Sequence, residues 1–424
     1  MGSLLRVATA GSVDDGKSTL LGRLLHDAKG IFADQLVAVA AATARRGAPD
    51  GELDLSLLTD GLRAEREQGI TIDVAYRYFA TPRRTFVLAD TPGHVQYTRN
   101  MVTGASTADV AVVLVDVRRG VTEQSRRHAA IAALLRVPHV VLVVNKMDLV
   151  DWDPSAFHRV VAQFRAAMAA LGIADVVAVP VSALHGDNVV RRSDRAPWYP
   201  GPTLLEHLET VEPVDPSEPH AAAGLRFPVQ YVVRAPERDY RGYAGRVAAG
   251  VVKPGDEVVV LPSGARTAVA AVETYDGPLL RGEEGVSVVL RLVDDVDVGR
   301  GDLLACADDP PVPSRAFEAT VCWLGEEALA ASTPRRYALK HTTRTTRALI
   351  EATDVLDVQT GGLNPAGGLA LNDIGRVRIR TADPLAMDDY VVNRRTGAFL
   401  LLDEASGTTV AAGMAGPLPW SAAS

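Results

Sequence analysis

Residues 11–18 read GSVDDGKS, which matches the pattern G-x-x-x-x-G-K-[ST] of a phosphate-binding loop. An apolar run of strand length, Leu4 to Thr9, precedes this stretch, and a helical sequence, Thr19 to His26, follows it. A strand, the loop and then a helix form the context in which the motif binds nucleotide phosphates, so an ordinary glycine turn is disfavoured. The stretch therefore predicts a nucleotide-binding α/β domain.

The residue types in the loop suit this chemistry. Gly11 and Gly16 let backbone N–H groups curl around a phosphate without clashes from a β-carbon. The helix that begins after Gly16 adds its dipole. Lys17 reaches the β- and γ-phosphates, and the Ser18 hydroxyl is placed to bind Mg²⁺ with phosphate and water oxygens. We therefore predict a catalytic role for Lys17 and a metal-binding role for Ser18.

The first half of the chain alternates strand-like and helical segments. Further apolar runs lie at Thr85 to Ala89, Val110 to Val115, Val140 to Val144 and Val176 to Val181. Helical sequences lie at Thr122 to Leu135 and Pro154 to Leu171, and Val37 to Ala44 has the pattern of an amphipathic helix. This alternation predicts a parallel-rich sheet with helices on both faces.

A second nucleotide motif, Asp90-Thr91-Pro92-Gly93, follows the strand predicted at Thr85 to Ala89. The Asp90 carboxylate can hold a water bound to Mg²⁺, and the Gly93 N–H can contact a γ-phosphate. Alone the tetrapeptide is a common turn, but in this position it is a candidate nucleotide switch. His94 follows and can orient the attacking water, although a histidine that only packs beside the nucleotide is the alternative.

A third motif, Asn145-Lys146-Met147-Asp148, ends the strand predicted at Val140 to Val144. A carboxylate can accept hydrogen bonds from both N1–H and the exocyclic amine of guanine, which adenine does not offer. The motif therefore selects GTP. Ser182-Ala183-Leu184 follows the strand ending at Val181 and can place a backbone N–H near guanine O6.

Residues 65–72 read EREQGITI and pass from charged to apolar. Thr71 offers a hydroxyl that can complete the Mg²⁺ shell, whereas a solvated helix is the alternative for such a charged segment. The predicted GTP-binding residues come from all of these motifs: Gly11, Ser12, Val13, Asp14, Asp15, Gly16, Lys17, Ser18, Thr19, Asp90, Thr91, Pro92, Gly93, His94, Asn145, Lys146, Met147, Asp148, Ser182, Ala183 and Leu184. The predicted metal-binding residues are Ser18, Thr71 and, through water, Asp90.

The second half reads as a series of short strands after EPVDPSEPH, residues 212–220, which has the composition of a linker. The first strands are expected at Phe227–Val233, Gly245–Val252, Glu257–Leu261, Ala268–Tyr275 and Ser287–Leu292. A second break, ADDPPVPS at 307–314, precedes another β-rich set. The spacing is typical of a barrel or a sandwich. We predict a GTP-binding domain at 1–213 and β domains at 221–308 and 314–414.

Composition excludes several classes of function. The 424 residues carry a net charge of −8, which disfavours binding nucleic acid over a broad face. Cys306 and Cys322, the two cysteines, allow neither a disulfide framework nor a four-cysteine metal site. The start lacks a signal-peptide pattern, and the apolar runs are too short to cross a membrane. We therefore predict a soluble, cytoplasmic protein that binds neither nucleic acid nor membrane.

Together the motifs resemble those of the translation-factor GTPases, the family of elongation factor Tu. The resemblance rests on GSVDDGKST, EREQGITID, DTPGHVQYTRNMVTGAS, NKMD and SAL, and on RGYAGRVAAGVVKPGDEVVV, which is similar to the second-domain barrel of those factors. It implies a P-loop GTPase domain followed by two β-barrels. It also implies that Val13 and Ile70 form an apolar gate beside the water that His94 orients, so that both join His94 and Lys17 as catalytic candidates.

Within that family, the details resemble the large GTPase subunits of bacterial ATP sulfurylase. Elongation factors typically read GHVDHGKTT, whereas Ser12 and Asp15 replace both histidines here and Ser18 replaces a threonine. NDIGRVRIRTADPLAMDDY and NRRTGAFLLLDEASGTTVAAGM are also similar to those subunits. The resemblance implies a heterodimer with a smaller catalytic subunit, which transfers AMP from ATP to sulfate while GTP hydrolysis drives the reaction.

Two further observations fit that resemblance. No SGGxDS-type pyrophosphate loop occurs in the sequence, so this chain is not expected to make adenylylsulfate alone. A fused adenylylsulfate kinase would need a second phosphate-binding loop, and the sequence contains none.

One basic stretch keeps a second hypothesis open. It consists of Arg335, Arg336, Lys340, His341, Arg344 and Arg347. An elongation-factor-like GTPase that carries aminoacyl-tRNA is the alternative function, and such a stretch would suit it. Only Tyr337 interleaves as an aromatic residue, so a solvated barrel face or a partner-contact surface is favoured.

Overall fold

The computed structural model describes residues 3–30, 39–40, 43, 53, 55–58, 73–94, 98–173, 175–213, 224–235, 240–330 and 335–417. The chain divides into two compact units, Met1–Val214 with Asp357–Gly362 and Asp215–Leu356 with Leu363–Ser424. The linker expected at 212–220 and the helix expected at Val37–Ala44 lie largely outside the described residues. The three-domain boundaries remain a prediction.

The first unit is built on a six-stranded sheet. Its strands are β1 (Leu4–Gly11), β2 (Ala75–Ala80), β3 (Thr85–Asp90), β4 (Val110–Asp116), β5 (His139–Asn145) and β6 (Val176–Pro180). Their order is β2-β3-β1-β4-β5-β6. All neighbours pair in parallel except β2, which runs antiparallel to β3 at the edge. The predicted parallel-rich sheet is therefore confirmed.

The helices of this unit are α1 (Lys17–Asp27), α2 (Thr98–Ala105), α3 (Glu123–Leu134), α4 (Pro154–Ala170) and α5 (Leu204–Thr210), with 3-10 turns at Leu55–Leu58 and Met147–Val150. Local capping explains where several begin. The side chains of Thr122 and Asp153 accept backbone N–H bonds at the starts of α3 and α4. Thr203 and Glu206 form a reciprocal capping box at α5.

The carboxyl ends of the parallel strands share one edge of the sheet. Strand β4 is buried along its whole length, as expected for a strand with helices on both faces. Asp90 pairs in register with Thr9 near the end of β1, and Asp116 pairs with Asn145 at the ends of β4 and β5. Ligands of open α/β sheets bind outside this edge, which places the predicted motifs together.

The second unit contains two antiparallel barrels. The strands of the first barrel are β7 (Arg226–Ala235), β8 (Tyr240–Arg246), β9 (Glu257–Leu261), β10 (Ala265–Thr274), β11 (Gly277–Leu279), β12 (Ser287–Leu292) and β13 (Leu303–Cys306). They form a seven-stranded sheet that closes because β9 also pairs with β10. Its core is rich in valine, including Val229, Val260 and Val272.

The strands of the second barrel follow after residue 312. They are β14 (Pro313–Trp323), β15 (Leu329–Ala330), β16 (Arg335–His341), β17 (Arg344–Leu356), β18 (Leu363–Pro365), β19 (Gly368–Leu369), β20 (Ile374–Ala386), β21 (Ala398–Leu402) and β22 (Thr409–Ala415). Seven of them form a sheet that closes through the pairing of β16 with β17. Two barrels after an α/β domain confirm the predicted fold class.

One expected strand was wrong, and one strand of the structure was not expected. The strand expected at Gly245–Val252 ends at Arg246 instead, because the chain turns through Gly250 at φ 73°, and Ala249 and Val252 form only isolated bridges. Strand β2 was not expected, and Tyr76 and Tyr78 on it are exposed. Among the described residues, no helix is long and apolar enough to span a membrane.

Candidate nucleotide-binding site

The phosphate loop runs from the end of β1 to the start of α1. Gly16 takes the left-handed conformation, φ 93°, immediately before the helix. A β-carbon at Gly16 would also lie 2.5 Å from the side-chain nitrogen of Asn145, so glycine is required there for two reasons. The first turn of α1 therefore opens at the carboxyl edge of the sheet, with Ser18 and Thr19 half-buried.

The side chain of Lys17, the first residue of α1, folds back across the phosphate loop. Its Nζ donates hydrogen bonds to the carbonyl oxygens of Gly11 at 2.8 Å and Ser12 at 3.0 Å. Burial lowers the pKa of Lys17, and the charges of Asp90 and Asp15 oppose that effect. The hydrogen bonds described for this buried ammonium go to neutral carbonyls, which phosphate oxygens can replace.

Asp15 ties the loop together from inside. Its Oδ2 accepts the Ser12 N–H at 2.7 Å, and its backbone carbonyl accepts the side-chain amide of Asn145 at 2.8 Å. Burial raises the pKa of the Asp15 carboxyl, and the Ser12 N–H and nearby cations oppose that rise. No donor among the described residues hydrogen-bonds its other oxygen, Oδ1.

Three side chains, two from the segment between β4 and α3 and one from α3, hold three successive loop residues. The N–H of Gly11 donates to His128 Nδ1 at 3.1 Å. The hydroxyls of Ser12 and Thr122 are 2.8 Å apart, and Arg119 donates to the carbonyl of Val13 at 3.0 Å. The motifs do not indicate these contacts, because each joins residues more than 100 positions apart.

The second motif lies against the loop. The Thr91 hydroxyl donates to the carbonyl of Thr9 on β1, and Asp90 is buried at the end of β3. A β-carbon on Gly93 would lie 2.2 Å from Lys17 Nζ and 2.7 Å from the Gly11 carbonyl oxygen. Only glycine allows this approach, and it brings the start of the predicted switch to the phosphate-binding lysine. His94 follows, half-buried.

The third motif connects the base side of the site to the loop. Asn145 is buried, and its Oδ1 accepts the N–H of Ala183 at 3.0 Å, so one N–H of the stretch Ser182 to Leu184 is bound to this motif. Lys146 donates to the carbonyl of Asp14 and lies 3.0 Å from Asp116 Oδ2. Both residues therefore hold the loop as well as the motif to which they belong.

Asp116 anchors Lys146 and was not expected from the sequence. Arg118 binds both of its carboxylate oxygens, at 3.1 and 2.7 Å. Burial would raise the pKa of Asp116, but the bonds from Arg118 and Lys146 outweigh it and lower the pKa to about 2. Asp116 is therefore a carboxylate at neutral pH.

Asp148 is positioned by the segment after β6. Its Oδ1 accepts the Ser182 hydroxyl at 2.6 Å, and its Oδ2 lies 4.0 Å from His185 Nε2. The Asp148 side chain is 12% exposed, and Leu184 is exposed beside it. The carboxylate is therefore held in place while its edge stays open to a ligand.

The structure brings together loop residues 11–19, residues 90–94, Asn145 to Asp148 and Ser182 to Leu184 at one edge of the sheet. Ile70 and Thr71, predicted for the apolar gate and the metal, lie outside the described residues. Within the described ranges, no group of three or more His, Cys, Asp or Glu side chains is arranged to hold a metal ion.

Comparison with known proteins identifies the family. Residues 3–214 match the family model of the elongation factor Tu GTP-binding domain, and residues 316–415 match that of the GTP-eEF1A C-terminal domain-like family. The sulfate adenylyltransferase subunit 1 of Cellvibrio japonicus is 50% identical over 97% of this chain and 86% of its own length. The chain belongs to the sulfate adenylyltransferase subunit 1 family.

Other relatives of this chain are longer proteins. The bifunctional enzyme CysN/CysC of Mycobacterium tuberculosis is 53% identical over 98% of this chain, which spans 67% of that protein. The bifunctional enzyme NodQ of Rhizobium sp. is 49% identical over 97% of this chain, which spans 63% of that protein. The relatives named sulfate adenylyltransferase subunit 1 favour the sulfate-activating interpretation over the translation-factor alternative.

Proposed function

We propose that this chain is the GTPase subunit of sulfate adenylyltransferase. GTP hydrolysis in its first unit drives the formation of adenylylsulfate and pyrophosphate from ATP and sulfate on a smaller partner subunit. The observation that carries this proposal is the identity of about half of all residues, over nearly the whole chain, with proteins named sulfate adenylyltransferase subunit 1. Carriage of aminoacyl-tRNA is the alternative that the experiment below tests.

Each part of GTP has matching groups at the carboxyl edge of the sheet. We assign Asp148, which Ser182 holds in place, to the N1–H and amine of guanine. Lys17 and the N–H groups at the start of α1 are assigned to the phosphates. Ser18, Thr71 and, through water, Asp90 are the proposed Mg²⁺-binding residues. Hydroxyl and carboxylate oxygens suit a hard cation, so the donor set fits. Bound Mg²⁺ neutralises negative charge on the β- and γ-phosphates.

For hydrolysis, we assign His94 to the attacking water. It follows Gly93, which approaches Lys17 closely enough to exclude a β-carbon. A histidine at that position can orient water toward the γ-phosphate, with Val13 and Ile70 as an apolar gate that shields it. Switch segments around Thr71 and Gly93 would be ordered by the γ-phosphate and released on hydrolysis, which a partner subunit can sense.

Pyrophosphate release tests the proposal. The purified chain with ATP, sulfate and GTP should release none. Adding the small subunit should create sulfate-dependent release, GTP should raise the yield of adenylylsulfate, and a non-hydrolysable GTP analogue should not. Lys17→Ala should remove the GTP effect, whereas Lys29→Ala, at an exposed lysine just after α1, should retain it.

Two results contradict the proposal. One is adenylylsulfate formation by the isolated chain, and the other is a yield in the complex that does not depend on GTP hydrolysis. Binding of aminoacyl-tRNA in the GTP state, together with no effect of the chain on the small subunit, would support the alternative function instead.

A further inference from the structure

Arg119 contacts the outer side of the phosphate loop. It follows β4, and its Nη1 donates to the carbonyl of Val13 at 3.0 Å. The same nitrogen lies 4.0 Å from Asp15 Oδ1, the carboxylate oxygen that accepts no hydrogen bond from the described residues. Arg119 is 49% exposed, whereas Asp15 is 1% exposed. One guanidinium therefore contacts both a backbone group and the buried acid of the loop.

A buried carboxylate in this position presents an electrostatic problem. The phosphate loop receives a polyanion, and a negative charge inside it repels that ligand unless a cation compensates. Loss of the Asp15 side chain would disturb the loop, because its Oδ2 accepts the Ser12 N–H. The loop therefore needs a positive charge near Asp15 that does not itself bind the phosphates.

The other nearby cations are already engaged. The charge of Lys17 acts on Asp15, but Lys17 is the residue that phosphate oxygens would take. Lys146 and Arg118 both bind Asp116. Of the two cations whose charges act on Asp15, Lys17 and Arg119, Arg119 is the one that is not assigned to the phosphates.

We propose that Arg119 is a positioning residue of the GTPase site, which compensates the Asp15 carboxylate and fixes the Val13 carbonyl so that the loop can accept a triphosphate. The inference rests on the proposed GTP binding by this chain. A purely structural role for Arg119, limited to its bond with Val13, is the competing explanation. Only the compensating role predicts that neutralising Asp15 relieves the loss of Arg119.

The test measures Kd for GTP and GDP with Mg²⁺ by calorimetry on the full chain. Arg119→Ala should weaken GTP binding by about fivefold, a figure scaled down because the arginine is half-exposed. GDP binding should weaken less, because GDP carries less charge. Arg119→Lys, which retains the charge, should recover most of the affinity. The double variant Arg119→Ala with Asp15→Asn should bind GTP within about twofold of Asp15→Asn alone.

An asparagine at position 15 still offers an oxygen to the Ser12 N–H, so the double variant keeps that bond. Arg159→Ala, at an exposed arginine on α4, is the matched control and should bind GTP as the parent does. Unchanged affinity in Arg119→Ala, or an equal loss from Arg119→Ala in the parent and in the Asp15→Asn variant, overturns the inference while GTP binding by the parent stands. A parent chain that binds no GTP overturns the proposed function as well.

Discussion

At the scale of single residues, base selection depends on Asp148. Replacement by Asn leaves one oxygen for guanine N1–H but puts a donor where the guanine amine needs an acceptor. We expect Asp148→Asn to weaken GTP binding about 100-fold or more, because buried donors lose their carboxylate. Xanthosine triphosphate, which has an oxygen in place of the amine, should be bound better by the variant than by the parent. Competition titrations measure both affinities.

Asp151→Asn is the matched control for this prediction. Asp151 is an exposed residue in the left-handed region, φ 50°, which Asn adopts readily, so GTP affinity should not change. Equal GTP affinity in Asp148→Asn and the parent would remove Asp148 from the base site.

The motifs allow the residues of the site to be predicted, but not the residues that hold them. Gly16 and Asn145 are specified by patterns of a few adjacent residues, and the structure brings them so close that a β-carbon on Gly16 would lie 2.5 Å from the Asn145 side-chain nitrogen. Arg119 and His128 carry no local pattern, because their partners in the loop are distant in sequence and only the register of β1 with β4 brings them close. The sequence alone therefore indicates no more than an ordinary structural role for His128.

At the scale of elements, His128 of α3, which accepts the Gly11 N–H of the phosphate loop, makes the stability of the fold depend on pH. Complete burial and the charges of Lys17 and Arg127 lower the pKa of His128 to about 3, from the usual 6.5. Between pH 6.5 and about 3, His128 therefore binds a proton in the unfolded chain but not in the folded chain. Stability contributed by neutral His128 is complete above pH 6.5 and falls as the pH decreases toward 3, by about 1.4 kcal/mol between pH 7.5 and 5.5.

Thermal unfolding of the nucleotide-free chain at those two pH values checks this prediction. His128→Asn retains a side-chain acceptor for the Gly11 N–H without titrating, so its Tm should fall less on acidification than that of the parent. His158→Asn, at an exposed histidine on α4, should behave as the parent does. An identical pH dependence in His128→Asn and the parent would show that folding does not lower the pKa of His128.

Elements were predictable where both faces of a strand are buried. The continuous apolar runs of β4 and β5 stand out from the sequence, since residues on both faces are buried. Strand β2 was missed because one of its faces is in solvent, where Tyr76 and Tyr78 are exposed, and its pattern is short. In the first barrel, the turn at Gly250 was missed because valines continue on either side of it.

At the scale of the whole molecule, the two barrels of the second unit are joined by a buried ion pair that no sequence pattern indicates. Arg226 on β7 donates to both carboxylate oxygens of Asp388, at 3.0 to 3.2 Å, and Asp388 also accepts the Thr396 hydroxyl at 2.5 Å. Beside this pair, Leu261 and Leu303 of one barrel pack in one apolar cluster with Ala386 of the other. The contact between the two barrels therefore consists of a buried ion pair and an apolar cluster.

Removing one partner of that pair should be far more costly than removing both. Asp388→Ala removes the buried carboxylate and leaves the Arg226 guanidinium with the exposed Asp309 carboxylate alone, so it should destabilise the chain by about 3 kcal/mol, seen as a lower Tm. Adding Arg226→Met should recover part of this loss, because the unpaired charge is gone. Asp309→Ala is the control, since Asp309 lies 3.5 Å from the same arginine but is 60% exposed, and its loss should cost less than about 1 kcal/mol. If Asp388→Ala and Asp309→Ala lower the Tm equally, the contact between the two barrels depends on the apolar cluster and not on the ion pair.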